Sequence, residues 1–263
     1  MSSPPDIERI EVPKSCDLLA EQLRGKILTG VYPADSPLPA ERELVALSGL
    51  SRGSVREALR LLEADGLVRT RPGRYGGSVV CRPTDELLAR QVAMFAKGRG
   101  VTISSLIAAR EALEPMLAQL AAQHRTETDL ATLEAISARL DEAALTDNDE
   151  FLEQNLRWHY AVAVASHNDL LRAFMASLTE LIEEATRVKD VVTDEIRVTV
   201  ARAHRRVLDA IVAQDADAAR RRMQRHVSAY SQRVDALLQA GSLPLGRQVL
   251  AELPAELSSE RSS

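Results

Sequence analysis

Three histidines occupy the middle of apolar stripes in three separate segments late in the chain. At helical period the stripes run Phe151, Asn155, His159, Val162, Ser166; then Ile196, Val200, His204, Val207, Ile211; then Ala219, Met223, His226, Tyr230, Leu237. An imidazole on a core-facing stripe needs a polar partner. Each ring could find its own hydrogen bond, but three rings with the Asn155 amide one turn from His159 are expected to converge. Three imidazole nitrogens and one oxygen, with positions left open, suit a borderline divalent ion: Zn²⁺ first, with Ni²⁺ and Mn²⁺ as alternatives. His124 and His167 fall at expected helix ends, where a dipole or loop role suffices.

Arg110 is a second intruder, on the stripe Leu106, Arg110, Leu113, Leu117, Leu120. A buried guanidinium must be paired. Either Glu114 neutralises it, or it grips an anionic ligand in bidentate fashion. Pro115 is expected to kink this helix. Open metal positions could also activate water, but the histidine stripes carry no Glu or Asp to act as a general base. The expectation is therefore a binding protein and not an enzyme. A sensor of metal alone is an alternative.

The third array is cationic. In residues 51–62, Val55, Ala58, Leu59 and Leu62 share one helical face, while Arg52, Arg56 and Arg60 recur every four residues on the other. Ser51 stands at the N-cap position. Guanidiniums on one exposed ridge match phosphates and the guanine edge of the major groove.

These arrays need elements to position them. Residues 40–47 form a short helix with Leu44 and Leu47 inward, joined to the arginine helix by Ser48-Gly49-Leu50; this is the sequence form of a helix-turn-helix. Gly66 is placed to stop the arginine helix. Strands at 67–70 and 78–80 then flank a basic, turn-rich tip. An earlier helix over 16–29, carrying Leu18, Leu19, Leu23, Ile27 and Leu28, supplies a third wall. From 85 to 240 the pattern is helical, with helices expected at 85–98, 103–123, 127–144, 148–166, 169–189, 193–213 and 216–239. The fold class is thus mainly α: a winged helix-turn-helix over 12–82, then an all-α antiparallel bundle of seven helices over 85–240. The stretches 1–11 and 242–263 read as disordered tails.

Leu23-Arg-Gly-Lys-Ile-Leu-Thr-Gly30, Leu38-Pro-Ala-Glu-Arg-Glu-Leu44 and the run Leu50 to Leu67 resemble the DNA-binding domain of GntR-family bacterial regulators. The resemblance implies DNA contacts from Arg42, Arg52, Arg56 and Gly73, with Ser51, Gly53 and Ser54 beside them. The tip Tyr75-Gly76-Gly77 is longer and richer in glycine than the family's usual wing. Ala109-Arg-Glu-Ala-Leu-Glu-Pro115, Asn155-Leu-Arg-Trp-His-Tyr160, Ala165-Ser-His-Asn168 and Ala203 to Ile211, followed by His226, resemble the FCD effector domain of the FadR subgroup. That likeness implies a metal held by Asn155, His159, His204 and His226, and a small carboxylate gripped by Arg110. Asn155 replaces the commoner Asp, and His167 stands where the family usually has Gly. The implied protein is a homodimeric transcription regulator that reads an inverted-repeat operator on double-stranded DNA.

Net charge over the 263 residues is −5, yet residues 12–83 carry 11 Lys or Arg against 8 Asp or Glu. The head is mildly basic on an acidic body, so specificity must come from the arginine ridge. Two well-separated cysteines form no metal or disulfide motif. No apolar run is long enough to span a bilayer and no signal-peptide pattern opens the chain, so a cytoplasmic location is expected, without membrane partners.

Overall fold

The computed structural model describes residues 13–71, 77–186 and 193–239. The chain divides into two compact units that part between Thr84 and Asp85.

The first unit is built on α1 (Ser15–Leu28), α2 (Glu41–Ser48) and α3 (Arg52–Ala64), followed by the antiparallel strands β1 (Val68–Arg71) and β2 (Gly77–Val80). Ser51 caps α3 by accepting the Ser54 N–H at 3.1 Å. Its other end closes at Gly66, φ +70°, where Gly66 N–H donates to Glu63 O and Leu67 N–H to Leu62 O. That paired pattern needs a left-handed residue, which glycine adopts without steric cost. The core joins Leu19, Leu23, Ile27, Leu44, Val55, Ala58, Leu59, Leu62, Val68 and Val80.

Leu18, Leu28 and Leu47, expected inside, are exposed at 57%, 69% and 72%. In the pairs Leu18/Leu19 and Ile27/Leu28, neighbours lie about 100° apart on the helix, so a narrow buried face takes only one of each. In α2, Leu44 fills the core with Val45 half-buried beside it, and Leu47 points to solvent. The strands run in register from Val68 opposite Val80 to Arg71 opposite Gly77. The tip between them, including Gly73, lies outside the described residues, as do the stretches 1–11 and 242–263 expected to be tails.

Among the described residues the second unit comprises seven helices: α4 (Asp85–Arg99), α5 (Ile103–His124), α6 (Glu127–Thr146), α7 (Asn148–Ala165), α8 (Asp169–Thr186), α9 (Asp194–Val212) and α10 (Ala216–Gln239). The expected ranges agree within three residues at every described end; the stretch 187–189, expected to continue α8, lies outside the described residues. Starts are set by side-chain caps: Thr102 accepts from Ser105 N–H, Thr126 and Asp129 form a reciprocal box, and Asp147 accepts from Asp149 and Glu150 N–H. Alpha 5 continues through Pro115 as one helix.

The main core draws on α5, α6, α7, α9 and α10, with Trp158 fully covered among Leu133, Val162, Val207, Ile211 and Met223. Alpha 10 packs most extensively on α5, and α4 lies against α8. Asp85 at the start of α4 is held by Arg172 of α8 and by the Tyr160 hydroxyl of α7, the latter at 3.2 Å. His167 follows the C-cap of α7 with φ +50°, and its Nε2 lies 2.8 Å from Asp129 at the start of α6. This backbone position accounts for the glycine usual there, and the ring adds a tie between two helix ends.

Candidate metal centre and nucleic-acid interface

Alpha 7, α9 and α10 bring their histidines to one point. Nε2 of His204 lies 3.0 Å from Nε2 of His226, which lies 3.4 Å from Nε2 of His159. One ligand nitrogen from each ring falls within 4.8 Å of the others. His159 and His204 are 3% and 0% exposed, and His226 is half-buried. His204 stacks on Trp158 with centroids 4.0 Å apart and planes 5° from parallel. The Trp158 indole N–H donates to Ser137 Oγ at 3.1 Å, which fixes the platform under His204.

Burial holds all three imidazoles below their usual titration range. The nearby His159 and Arg110 charges deepen the effect at His226, which is pushed down to about 3, while His204 is pushed well down. At His159 burial and Arg110 outweigh the opposing pull of Glu114. Neutral rings present lone pairs, which a metal requires. Three inward Nε2 atoms cannot all be satisfied by one another, because a neutral ring whose Nε2 carries the lone pair has no proton there to donate. Around a tetrahedral ion with Zn–N of about 2.0–2.1 Å, ligand nitrogens stand about 3.3 Å apart. Two of the observed separations, 3.0 and 3.4 Å, bracket that spacing, and the donor set is one that could hold such an ion.

Asn155 sits one turn before His159 on α7, is half-buried, and makes no side-chain hydrogen bond among the described residues. The inner face of α7 is carried instead by Phe151, Gln154, Trp158, His159, Ala161, Val162 and Ala165. The expected stripe therefore missed Gln154 and Trp158, which are displaced by one residue from Asn155 and His159.

The local acid expected as one partner for Arg110 is in place. Its Nε is bonded to Glu114, and its guanidinium carbon lies 5.6 Å from the centre of the Tyr230 ring. Among the described residues nothing else bonds its two terminal nitrogens. Glu114 also lies 2.6 Å from His159 Nδ1, close but poorly aligned as a hydrogen bond. Burial would raise this carboxyl, yet Arg110 and then His159 hold it well below the usual carboxylate range. A carboxylate thus reaches the histidines from α5, a helix without a histidine stripe. The i,i+4 spacing of Arg110 and Glu114 was the available sequence signal.

In the first unit, Arg42, Ser51, Arg52, Gly53 and Arg56 are exposed and Ser54 is half-buried. Arg42, Arg52 and Arg56 have no ion pair among the described residues, whereas Arg60 lies 3.6 Å from Glu57. Thr70 N–H donates to Glu63, tying the wing to α3. A guanidinium ridge on the second helix of a helix-turn-helix, beside a two-stranded wing, defines a DNA-binding regulator with a helical second domain.

The family comparisons agree. Residues 17–77 match "Bacterial regulatory proteins, gntR family", and residues 105–229 match the FCD domain. The HTH-type transcriptional regulator YieP of Escherichia coli (strain K12) is 32% identical over 208 residues, 77% of this chain and 87% of that protein. The galactonate operon transcriptional repressor of the same organism is 31% identical over 77% of this chain and 89% of its own length. A solved structure titled Streptococcus agalactiae GntR shares the fold with a TM-score of 0.60, at 22% identity over 82% of this chain and 99% of that one. The chain belongs to the GntR family: it is a DNA-binding transcription regulator carrying an FCD domain, and not an enzyme. Among the described residues no helix is long and apolar enough to cross a membrane.

Proposed function

We propose that this chain is a cytoplasmic, homodimeric repressor of the FadR subgroup whose FCD domain binds one divalent ion and a small carboxylate. The meeting of three Nε2 atoms from α7, α9 and α10 carries this reading. His159, His204 and His226 would hold the ion, with the Asn155 amide oxygen as fourth ligand. Zn²⁺ is the first expectation, and Ni²⁺ or Mn²⁺ the alternatives. Such an ion, when bound by these residues, would supply Lewis acidity toward an anionic oxygen. The terminal nitrogens of Arg110 provide a fork for the same carboxylate while its Nε stays on Glu114. Two heads related by two-fold symmetry would read an inverted repeat through Arg42, Ser51, Arg52, Gly53, Ser54 and Arg56, with Gly73 at the wing tip. The carboxylate regulates only as far as its affinity differs between the DNA-competent and DNA-incompetent arrangements.

The Arg110–Glu114 pair favours a second reading, in which metal alone is sensed. DNA affinity measured on chelator-stripped and Zn²⁺-loaded protein, with and without a panel of small carboxylates, separates the two. A carboxylate effect that disappears in Arg110→Ala supports the leading reading. A response to metal alone that survives Arg110→Ala supports the second, and no response to either overturns both.

A further inference from the structure

We infer that Glu114 is the positioning residue of the centre: it fixes the orientation and tautomer of His159, and Arg110 holds it in place. This rests on the reading of the three histidines as a metal centre.

The two carboxylate oxygens of Glu114 are divided. Oε1 takes the Nε of Arg110, and Oε2 lies 2.6 Å from Nδ1 of His159, in contact though off the axis of a hydrogen bond. The Glu114 and His159 side chains are each 2% exposed, so water does not compete for either group. A neutral ring with an acceptor at Nδ1 keeps its proton there and turns the Nε2 lone pair the other way. On His159 that direction leads to His226 and the rest of the cluster.

His204 is held differently: Nδ1 of neither ring makes an aligned hydrogen bond among the described residues, but where His159 has Glu114 beside it, the His204 ring rests on Trp158. Among the described residues His159 is the one of the three histidines with a carboxylate against its ring, and an anionic partner raises the basicity of the nitrogen offered to a metal. Arg110 balances the buried charge of Glu114, so the arrangement brings a carboxylate to the centre without a net buried negative charge. It also joins the two ligands. An anion on the terminal nitrogens of Arg110 pulls on the guanidinium that holds Glu114, so metal and anion affinities are linked reciprocally.

A purely structural ion pair would neutralise Arg110 and leave His159 indifferent to Glu114. In uniformly ¹⁵N-labelled wild-type protein stripped of metal, the expected His159 tautomer is Nδ1–H, and Zn²⁺ then shifts its Nε2. Glu114→Gln is expected to weaken Zn²⁺ by about 10–100-fold in competition with a chromophoric chelator. Because that variant leaves Arg110 buried without its partner, the double variant Arg110→Met, Glu114→Gln is measured beside it, and the same loss is expected. An Nε2–H tautomer in the wild type, or a double variant that binds Zn²⁺ within about threefold of wild type, overturns the inference. If wild type binds no metal, the metal reading fails, and the tautomer still decides what Glu114 does. If neither variant folds, the tautomer decides alone.

Discussion

Arg52 and Arg56 owe their availability to the helix they share. Val55, Ala58, Leu59 and Leu62 take the inner face of α3, and no acidic side chain pairs with either guanidinium among the described residues. Replacing either by Ala is expected to cost roughly 1–3 kcal/mol of specific DNA affinity and to leave the melting temperature unchanged; fluorescence anisotropy with the operator measures the first and thermal unfolding the second. The histidines make a separate prediction for metal-free protein. Their folded titration points lie below the ordinary 6.5, with burial the first cause. The unfolded chain therefore takes up protons first as pH falls, so stability is complete above about pH 6.5 and declines below it. The slope should reach about 1.4 kcal/mol per pH unit for each fully covered ring, and urea unfolding between pH 7 and pH 5 should show it. At this scale the sequence made the three histidines and the arginine ridge legible, because each lies on a clear stripe. The contact of Glu114 with His159 was not, since periodicity within one helix says nothing of a neighbouring helix. Arg197, buried and bonded to Ala144 O and Asp194, was missed for a related reason: its first partner is the last turn of α6.

Helix ends were readable because capping residues act locally. Thr102, Thr126 and Asp147 each accept the backbone N–H groups that open α5, α6 and α7. Facing was less readable where two apolar residues adjoin, as in Leu18/Leu19, or where a stripe is wide, as on α7, where Gln154 and Trp158 lie deeper than Asn155. The tie between His167 and Asp129 gives the element-scale test. His167→Ala removes the bond to Asp129 but keeps a side chain at φ +50°. His167→Gly also loses the bond but relieves the backbone, so it should be the more stable variant by about 1 kcal/mol. Equal urea midpoints for the two would mean that the left-handed position carries no strain.

Across the whole molecule, charge is divided so that a mildly basic head works on a chain of net charge −5. Bulk attraction to DNA is weak in such a chain, and the unpaired arginines must carry the phosphate contacts. In the proposed dimer, Arg42, Arg52 and Arg56 from both heads would give a log–log salt slope of about −5 if all six neutralise phosphates. A slope near zero between 0.1 and 0.3 M salt would remove them from the backbone contacts. The whole account turns on the meeting of His159, His204 and His226, and calorimetric titration of Zn²⁺ into chelator-stripped protein tests it most directly. One saturable site per chain, lost in His204→Ala, is the predicted result. Absence of saturable binding in wild type, or an unchanged isotherm in the variant, would contradict it.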